Sequence, residues 1–271
     1  MSELYFAYCQ GDVLLTSEGR IPFGDTPPIE FQPWEHVTDL QEGEVHIYRL
    51  DRPVTNRPGL QMMGLRQTFE VLSPEMYQLA GKCAELVYWD QNSKFCGCCG
   101  APMKWHTSIS KHCTECGKEL WPQLQTAIIV RVTKAPSQPS FEREEDALLS
   151  GEGRGGSILL VHANNFRRNY YGLVAGFVET GETLEECVKR EVWEETHICI
   201  KNIRYFASQP WPYPAGIMVG FTAEYESGEL RLQREELGGG GWYTRDNLPE
   251  IPNRSSLARW LIDDWLMPEG Q

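Results

Sequence analysis

The sequence lacks both the long apolar segments and the excess of positive charge that several protein classes require. It has no run of about 18 apolar residues, so we expect no transmembrane helix. Its first residues, MSELYFAYCQGDV, contain neither a basic segment nor a long apolar one, so we expect no signal peptide. The 38 acidic residues outnumber the 25 basic ones, and the formal charge is −13. Non-specific nucleic-acid binding, which needs many contacts from Lys and Arg to phosphates, is therefore not expected.

The cysteines do not form the pattern of a disulfide-stabilised secreted domain. There are nine of them, an odd number, and four lie in two CxxC pairs. This pattern favours metal binding in a reducing compartment. We therefore expect a cytoplasmic protein with no membrane partner. The 41% hydrophobic and 23% charged residues are typical of a globular chain, and 271 residues can form more than one domain.

The succession of elements predicts a fold of the α+β class in three parts. Residues 1–94 are expected to form a small mixed domain of short strands and one helix, which begins after the N-cap sequence Ser73-Pro74. Residues 95–120 carry the cysteine pairs, and residues 121–271 form a larger domain with a flexible insertion at about 134–156. In that domain, strands are predicted at Thr126–Val132, Ser157–Val161, Tyr170–Ala175, Ile203–Ala207, Ile217–Tyr225 and Glu229–Leu232, and helices at Thr183–Thr196 and Ser255–Leu266.

The two CxxC pairs, Cys96–Cys99 and Cys113–Cys116, are separated by thirteen residues. A glycine follows the second cysteine of each pair, and glycine permits the turn that directs backbone amides toward the thiolates. The spacing predicts a zinc ribbon. Because four cysteines complete a tetrahedral shell, the Zn²⁺ is expected to be structural. The alternative is four reduced, buried cysteines without a metal.

Three glutamates, Glu191, Glu194 and Glu195, lie at positions i, i+3 and i+4 of the helix predicted at Thr183–Thr196. This spacing places their carboxylates on one patch of the helix. The loop that contains Gly176 can add a backbone carbonyl, and Arg190 can hold a glutamate through a bidentate pair. Such hard oxygen ligands suit Mg²⁺ or Mn²⁺. The alternative for the glutamates alone is an acidic, solvent-exposed helix face.

The stretch from Gly176 to Ile198 resembles the Nudix box. It has the box's order of a glycine, five residues, a glutamate, seven residues, Arg-Glu, an aliphatic residue, any residue and Glu-Glu. It departs only at His197, where the box has glycine. Histidine is enriched at positive φ among non-glycine residues, so we expect the helix to end at His197.

A second signature is Ser208–Pro214, with the sequence SQPWPYP. Its three prolines exclude a central strand, so we expect a rigid loop that displays Trp211 and Tyr213. A structural proline-rich turn is the alternative. Together with the cysteine pairs and the box, this array resembles that of the NADH pyrophosphatases, the zinc-ribbon branch of the Nudix superfamily, in which phenylalanine stands at the position of Tyr213.

The resemblance implies a Nudix α/β/α sandwich with a mixed sheet, preceded by the zinc ribbon and the small N-terminal domain. It implies metal-dependent hydrolysis of the pyrophosphate of NAD(H) to nicotinamide mononucleotide and AMP, and as a second activity the removal of NAD caps from RNA 5′ ends. The catalytic residues that it implies are Glu195, Glu191, Glu194 and Arg190. The implied ligands of Mg²⁺ or Mn²⁺ are Glu191, Glu194, Glu195, Gly176 and Glu236, with Glu235 as the alternative to Glu236.

The resemblance also implies how the substrate binds. The substrate-binding residues would be Phe177, Trp121, Ser208, Gln209, Trp211 and Tyr213. Phe177 and Trp121 would stack on the two faces of the adenine, with Trp121 supplied by the other subunit of a homodimer. A core position is the alternative for Trp121. The run Gly238–Gly241 is expected to be a floppy loop, since four successive glycines restrict the backbone little.

Two other functions remain open on the sequence. One is a Nudix hydrolase of another nucleoside diphosphate, such as ADP-ribose, which the Ser208–Pro214 array disfavours. The other is a non-catalytic, nucleotide-sensing zinc-ribbon protein, which the intact box disfavours.

Overall fold

The computed structural model of the protein describes residues 3–28, 34–40, 44–136, 156–164 and 169–267. The chain divides into two compact units. The first comprises Met1–Leu124 with Pro210–Gly216, and the second comprises Gln125–Gln209 with Ile217–Gln271. This division into two units does not test the three-part domain organisation with boundaries at residues 94 and 120, which stays a prediction. Of the insertion predicted at about 134–156, residues 137–155 lie outside the described residues.

The first unit contains a six-stranded mixed sheet. Its strands are β1 (Glu3–Cys9), β2 (Asp12–Thr16), β3 (Phe23–Gly24), β4 (Trp34–Leu40), β5 (Val45–Leu50) and β6 (Leu60–Gly64). Their order is β4-β5-β1-β2-β6, with β3 paired to β1. The β1–β5 pair is parallel and the other pairs are antiparallel. A short 3₁₀ helix, Gln67–Glu70, follows the sheet.

Helix α1 (Pro74–Asn92) covers one face of this sheet. Its N-cap is the predicted one, because the Ser73 hydroxyl accepts a hydrogen bond from the backbone amide of Met76 at 3.2 Å. Apolar residues at helical spacing on α1 pack against alternate residues of the strands. These residues are Ala80, Cys83, Leu86 and Val87 on the helix, and Phe6, Tyr8, Val13, Leu15, Val45 and Ile47 on the sheet. The prediction of short strands and one helix for this region is confirmed.

A small three-stranded antiparallel sheet follows the first cysteine pair and contains the second. Its strands are β7 (Met103–Thr107), β8 (Ser110–Cys113) and β9 (Glu119–Leu120), with Cys113 at the end of β8 and Cys116 between β8 and β9. Lys111 of β8 is only 2% exposed, and its Nζ lies 2.6 Å from Oδ1 of Asp90 at the end of α1. The same Nζ lies 5.1 Å and 5.2 Å from the ring centroids of Trp89 and Trp105. A buried lysine needs such a partner, so this ion pair joins the small sheet to α1.

In its described residues, the second unit contains another six-stranded sheet and two helices. The strands are β10 (Gln125–Lys134), β11 (Ser157–Ala163), β12 (Val174–Phe177), β13 (Cys199–Pro210), β14 (Gly216–Ser227) and β15 (Leu237–Thr244). Their order is β13-β14-β10-β11-β15, with β12 paired to β10. The helices are α2 (Leu184–Thr196) and α3 (Leu257–Leu266).

The two helices cover opposite faces of this sheet. Alternate strand residues pack against the apolar side of α2, namely Ile128, Val130, Val132, Leu159 and Val161. The residues between them, Ile129, Ile158 and Leu160, pack against α3. Because successive strand residues point to opposite faces, this division gives an α/β/α sandwich. The predicted fold class is confirmed. Within the described residues, every helix is too short or too polar to cross a bilayer.

Three local predictions for this unit were wrong. Glu229–Leu232 is not a strand. This segment instead contacts the last turn of α2, where the backbone amide of Arg231 donates to the carbonyl of Thr196. The strand predicted at Tyr170–Ala175 begins instead at Val174. Gly238–Gly241 is not a floppy loop but lies in the first half of β15.

The glycines of β15 allow close neighbours to pack on the strand. A Cβ on Gly239 would lie 3.0 Å from the Tyr171 hydroxyl, and a Cβ on Gly240 would lie 3.1 Å from a methyl group of Leu232. Glycine is disfavoured in strands by its low propensity, so sequence patterns do not predict β15.

Candidate active site

Helix α2 begins and ends at residues that the sequence predicts. The Thr183 hydroxyl accepts from the amide of Glu186 at 3.2 Å, and a Glu186 carboxylate oxygen accepts from the amide of Thr183 at 2.7 Å. This is a complete capping box. At the other end, His197 has φ 58° and ψ 28° and donates its amide to the carbonyl of Trp193 at 2.8 Å. The prediction that the helix ends at His197 in a left-handed conformation is confirmed.

The three glutamates of the box lie on one side of α2 at different depths. Glu195 is 6% exposed, whereas the side chains of Glu191 and Glu194 are 13% and 51% exposed. Burial, together with repulsion from Glu191, Glu236 and Glu194, raises the pKa of Glu195 to about 8. Burial also raises the pKa of Glu191. This patch of clustered carboxylates would be stabilised by a bound cation.

Arg190 organises the box through five hydrogen bonds to oxygen. Its Nε and Nη2 donate to both carboxylate oxygens of Glu182, at 3.0 and 2.6 Å. Its Nη1 donates to Glu191 at 2.9 Å and to Glu194 at 3.1 Å, and Nη2 also donates to the carbonyl of Phe177 at 2.9 Å. The Arg190 guanidinium, followed by the Glu179 amide, lowers the pKa of Glu182 to about 2. Arg190 therefore positions Glu191 and Glu194 and links α2 to the preceding loop.

The first glycine of the box is required because Glu191 lies directly over it. A Cβ on Gly176 would lie 1.9 Å from both Cδ and Oε1 of Glu191. Gly176 pairs with Ile128 of β10, on the sheet face that α2 covers. Any other residue at this position would displace the carboxylate of Glu191.

We expect Gly176→Ala to lower turnover by about tenfold or more with little loss of folded structure, since displacing a reacting group by about 1 Å can cost 10²-fold. Steady-state kinetics at saturating divalent cation would measure the loss. Gly241→Ala is the matched control, because a Cβ on Gly241 would meet nothing closer than 3.6 Å. Equal activity of the two variants would contradict the role given to Gly176.

A cavity of about 360 Å³ opens beside the carboxylate patch. Its lining residues are Val161, Ala163, Asn164, Leu173, Ala175, Glu195, Glu235, Glu236 and Leu237. Glu235 and Glu236 both line it, and Glu236 is also close enough to the patch to raise the pKa of Glu191 and of Glu195.

Asn164 fixes the turn that carries these two glutamates. Its side-chain amide donates to the carbonyls of Arg234 and Glu235, each at 3.1 Å, and its backbone amide donates to the carbonyl of Glu236 at 2.7 Å. No motif in the sequence points to Asn164, because its partners lie about 70 residues further along the chain.

The side chain of Gln209 makes two hydrogen bonds at the start of helix α3. Its Oε1 accepts from the amide of Leu257 at 2.8 Å, and its Nε2 donates to the carbonyl of Ser255 at 2.7 Å. Gln209 thereby caps the start of α3. The loop predicted at Ser208–Pro214 begins only after Pro210, because Ser208, Gln209 and Pro210 end the edge strand β13. The Ser208 hydroxyl accepts from the Tyr205 hydroxyl at 3.5 Å. The structure therefore gives Gln209 a positioning role next to the predicted substrate loop.

The rings of Trp211 and Tyr213 belong to the first unit. The guanidinium of Arg66 lies 5.1 Å from the Trp211 ring centroid and 4.4 Å from that of Tyr213. The Tyr213 and Tyr77 hydroxyls are 2.7 Å apart. Tyr213 is partly buried against the core that contains α1, so it is less displayed than the sequence predicts. Arg66 and Tyr77 hold the two rings in place, and sequence patterns did not indicate either.

The two aromatic residues predicted to bind adenine are both accessible within their own units. Phe177, in the second unit, is 62% exposed, and Trp121, in the first unit, is 51% exposed. The stacking of these two rings on adenine stays a prediction.

The four cysteines of the two CxxC pairs come together in the first unit. Their Sγ atoms all lie within 4.8 Å of one another. Cys96 and Cys116 are separated by 3.7 Å, and Cys99 and Cys113 by 3.4 Å. Four thiolates around a tetrahedral Zn²⁺ lie about 3.8 Å apart, so the cluster fits this ion. Backbone amides of Cys98 and Cys99 lower the pKa of Cys96 to about 6.

The Nudix-box segment Gly176–Ile198 lies within a longer stretch of the chain that resembles known proteins. A family model described as the NUDIX domain matches residues 146–263. A protein of Stutzerimonas stutzeri named NAD-capped RNA hydrolase NudC is 37% identical over 83% of this chain and 75% of its own length. Proteins with the same name from Klebsiella pneumoniae and Deinococcus radiodurans are 36% and 33% identical. They cover 91% and 97% of this chain, and 86% and 87% of their own lengths.

Proposed function

Because the chain belongs to the Nudix family that includes the NAD-capped RNA hydrolases, we propose that it hydrolyses the pyrophosphate bond of NAD(H). The products are nicotinamide mononucleotide and AMP, and the same reaction removes the NAD cap from RNA 5′ ends. The observation that supports this function best is the carboxylate patch of α2, which Arg190 organises beside a cavity of about 360 Å³.

The proposed cofactor of this reaction is Mg²⁺ or Mn²⁺, since Nudix enzymes use divalent metals. The ligands would be carboxylate oxygens of Glu191, Glu194, Glu195 and Glu236, with the backbone carbonyl of Gly176. This all-oxygen set matches the preference of hard cations. When bound, the cation would polarise phosphate oxygens and lower the pKa of a water molecule. The protein's own part is to hold the glutamates together through Arg190 and to orient them over Gly176.

The second metal is a structural Zn²⁺ bound by Cys96, Cys99, Cys113 and Cys116. The Sγ distances support it, as do the glycines after each pair, Gly100 and Gly117, whose φ values are 74° and 72°. All four positions of a tetrahedral ion would be filled by protein, which leaves no site for a substrate.

We assign the adenine to Phe177 and Trp121, one on each face of the base. The exposure of both rings supports this pairing. Because Trp121 would come from the partner of a homodimer, the proposal includes a dimer as the active form. The remaining substrate contacts are assigned to Ser208, Trp211 and Tyr213. Gln209 is assigned a positioning role, through its hydrogen bonds to the start of α3.

The function is tested by incubating the protein with NADH, ADP-ribose and NAD-capped RNA in separate reactions, each with Mg²⁺ or Mn²⁺. Chromatography should show AMP and the reduced nicotinamide mononucleotide from NADH, and RNA with a 5′ monophosphate from the capped RNA. Rapid cleavage of ADP-ribose without cleavage of NADH would favour the other hydrolase. Binding without any cleavage would favour a nucleotide sensor.

We expect Trp121→Ala to raise the KM for NADH about tenfold or more, since stacking on an aromatic ring contributes about 1–3 kcal/mol per base. The control is Trp260→Ala, which removes another exposed tryptophan, one that lies on α3. A lowered melting temperature with an unchanged KM would mean that Trp121 is only structural. A monomer in size-exclusion chromatography with normal NADH hydrolysis would rule out the shared site.

A further inference from the structure

A second cluster of metal-binding side chains lies in the first unit, outside the cysteine cluster. His36 Nε2 lies 2.8 Å from Asp39 Oδ1, and His46 Nδ1 lies 2.7 Å from the same oxygen. Ligand atoms of the three residues all lie within 4.8 Å of one another. The function proposed for the second unit uses none of these residues.

A β-bulge brings the three side chains to one face of the sheet. His36 and Asp39 are three residues apart on β4 and would normally point to opposite faces. The register between β4 and β5 shifts between His36 and Thr38, so that His36 faces Tyr48 and Asp39 faces His46. Because Tyr48 and His46 are two residues apart, all these side chains share one face. Bulges commonly re-aim side chains in this way at functional sites.

The carboxylate of Glu3 orients the His46 ring by binding Nε2, the ring nitrogen that does not face Asp39. His46 Nε2 lies 2.8 Å from Oε2 of Glu3, and the same oxygen accepts a hydrogen bond from the Tyr5 hydroxyl at 2.9 Å. The ring of Tyr5 stacks on that of His46 with centroids 5.1 Å apart. A carboxylate that binds the outer nitrogen of a histidine is the usual arrangement around metal-bound histidines, because it fixes the proton on that nitrogen. Nδ1 of His46 is thereby directed at Asp39 and His36.

We propose that His36, Asp39 and His46 form a binding site for a borderline transition-metal ion such as Zn²⁺, with Glu3 as the positioning residue for His46. Two imidazoles and one carboxylate suit Zn²⁺, Ni²⁺ or Cu²⁺ better than Mg²⁺. On binding, the ion replaces the two protons that point at Asp39, one on His46 Nδ1 and one on His36 Nε2. The proton of His46 passes to water, and that of His36 passes to water or, in a neutral ring, to its other nitrogen, Nδ1.

The site is open enough to accept an ion. The side chains of His36, Asp39 and His46 are 49%, 38% and 19% exposed. Nitrogen and oxygen ligands of a tetrahedral Zn²⁺ lie about 3.3 Å apart, so the side chains must separate by roughly half an ångström. Exposed rotamers allow this shift, and water can complete the coordination shell. The bound ion would join β4 to β5 and, through Glu3, to β1.

The test uses the full-length protein, with the cysteine cluster already loaded with zinc and with excess Mg²⁺ present to occupy the carboxylates of α2. Titration with Zn²⁺ is followed by calorimetry, and elemental analysis counts the bound ions. We expect the wild type to bind one further equivalent of Zn²⁺, with a rise in melting temperature on addition of the ion. His46→Gln and His36→Gln should each weaken this binding at least about tenfold, and Glu3→Gln should weaken it about tenfold.

His106→Gln is the matched control, because His106 is also an exposed histidine paired to one carboxylate, that of Glu119, at 3.3 Å. It should bind the further equivalent as the wild type does. NADH hydrolysis should be unchanged in all four variants. His36→Gln removes only a surface side chain, so its result stands even if His46→Gln unfolds. The proposal is overturned if the wild type binds no further Zn²⁺, or if His36→Gln binds it as tightly as His106→Gln.

Discussion

We expect the Glu195→Gln enzyme to hydrolyse NADH at least about 10²-fold more slowly than the wild type while it keeps its fold. Glutamine has the shape of glutamate but cannot carry its negative charge. Glu195 is 6% exposed and lies among Glu191, Glu194 and Glu236, where the site needs charge to bind a cation or to accept a proton. Because the pKa of Glu195 is raised to about 8, the side chain is mostly protonated at neutral pH when no cation is bound, and neutral glutamine should not destabilise the protein. The loss should therefore appear in turnover alone.

The measurement is kcat at saturating cation, with circular dichroism and thermal unfolding as checks of the fold. Glu185→Gln is the matched control, since it makes the same chemical change at an exposed position in the first turn of the same helix. It should have nearly wild-type activity. A well-folded Glu195→Gln enzyme with near-normal turnover would show that the reaction is carried out elsewhere.

The second large effect is expected from Cys113→Ser, which should lose zinc and stability together. Structural zinc binding is coupled to folding, and its loss removes several kcal/mol. Each kcal/mol shifts the midpoint of thermal unfolding by about 2–4 °C for a domain of roughly 150–250 residues, so we expect a fall of about 10 °C or more. Because Cys113 is the last residue of β8, the effect should spread through the small sheet of the first unit.

Elemental analysis of protein purified without chelator measures the zinc content. Cys98→Ser is the control: Cys98 lies between Cys96 and Cys99, but its Sγ accepts a hydrogen bond from Lys118 at 3.3 Å and is not one of the four clustered atoms. The Cys98→Ser protein should bind one equivalent of zinc and should have the same melting temperature as the wild type. Wild-type protein without zinc, or Cys113→Ser protein with a full equivalent, would contradict the assignment.

The features that sequence patterns predicted best are those encoded by neighbouring residues. The capping box of α2, its end at His197 and the grouping of four cysteines all depend on spacings within about two dozen residues. Local propensity and spacing are sufficient for such features. The alternation of apolar residues in β10 and β11 likewise predicted buried strands, although it did not show which helix each face would contact.

The features that escaped prediction depend on residues far apart in the chain. Gln209 binds the start of α3 across 48 residues, and the Tyr213 hydroxyl lies beside that of Tyr77 across 136 residues. Asn164 was missed for the same reason. Strand β15 escaped because its four glycines contradict strand propensity, and only packing explains them. Tertiary contacts of this kind leave no local period in the sequence.

The assignment of Pro210–Gly216 to the first unit limits how this protein could be shortened or recombined. Residues on both sides of this segment belong to the second unit, so no single cut separates the two. A gene fragment that encodes residues 125–271 would carry Trp211 and Tyr213 without Arg66 and Tyr77, their partners in the first unit. The second unit is therefore discontinuous in the sequence, and a shortened protein that begins at residue 125 would leave both rings without the partners that hold them.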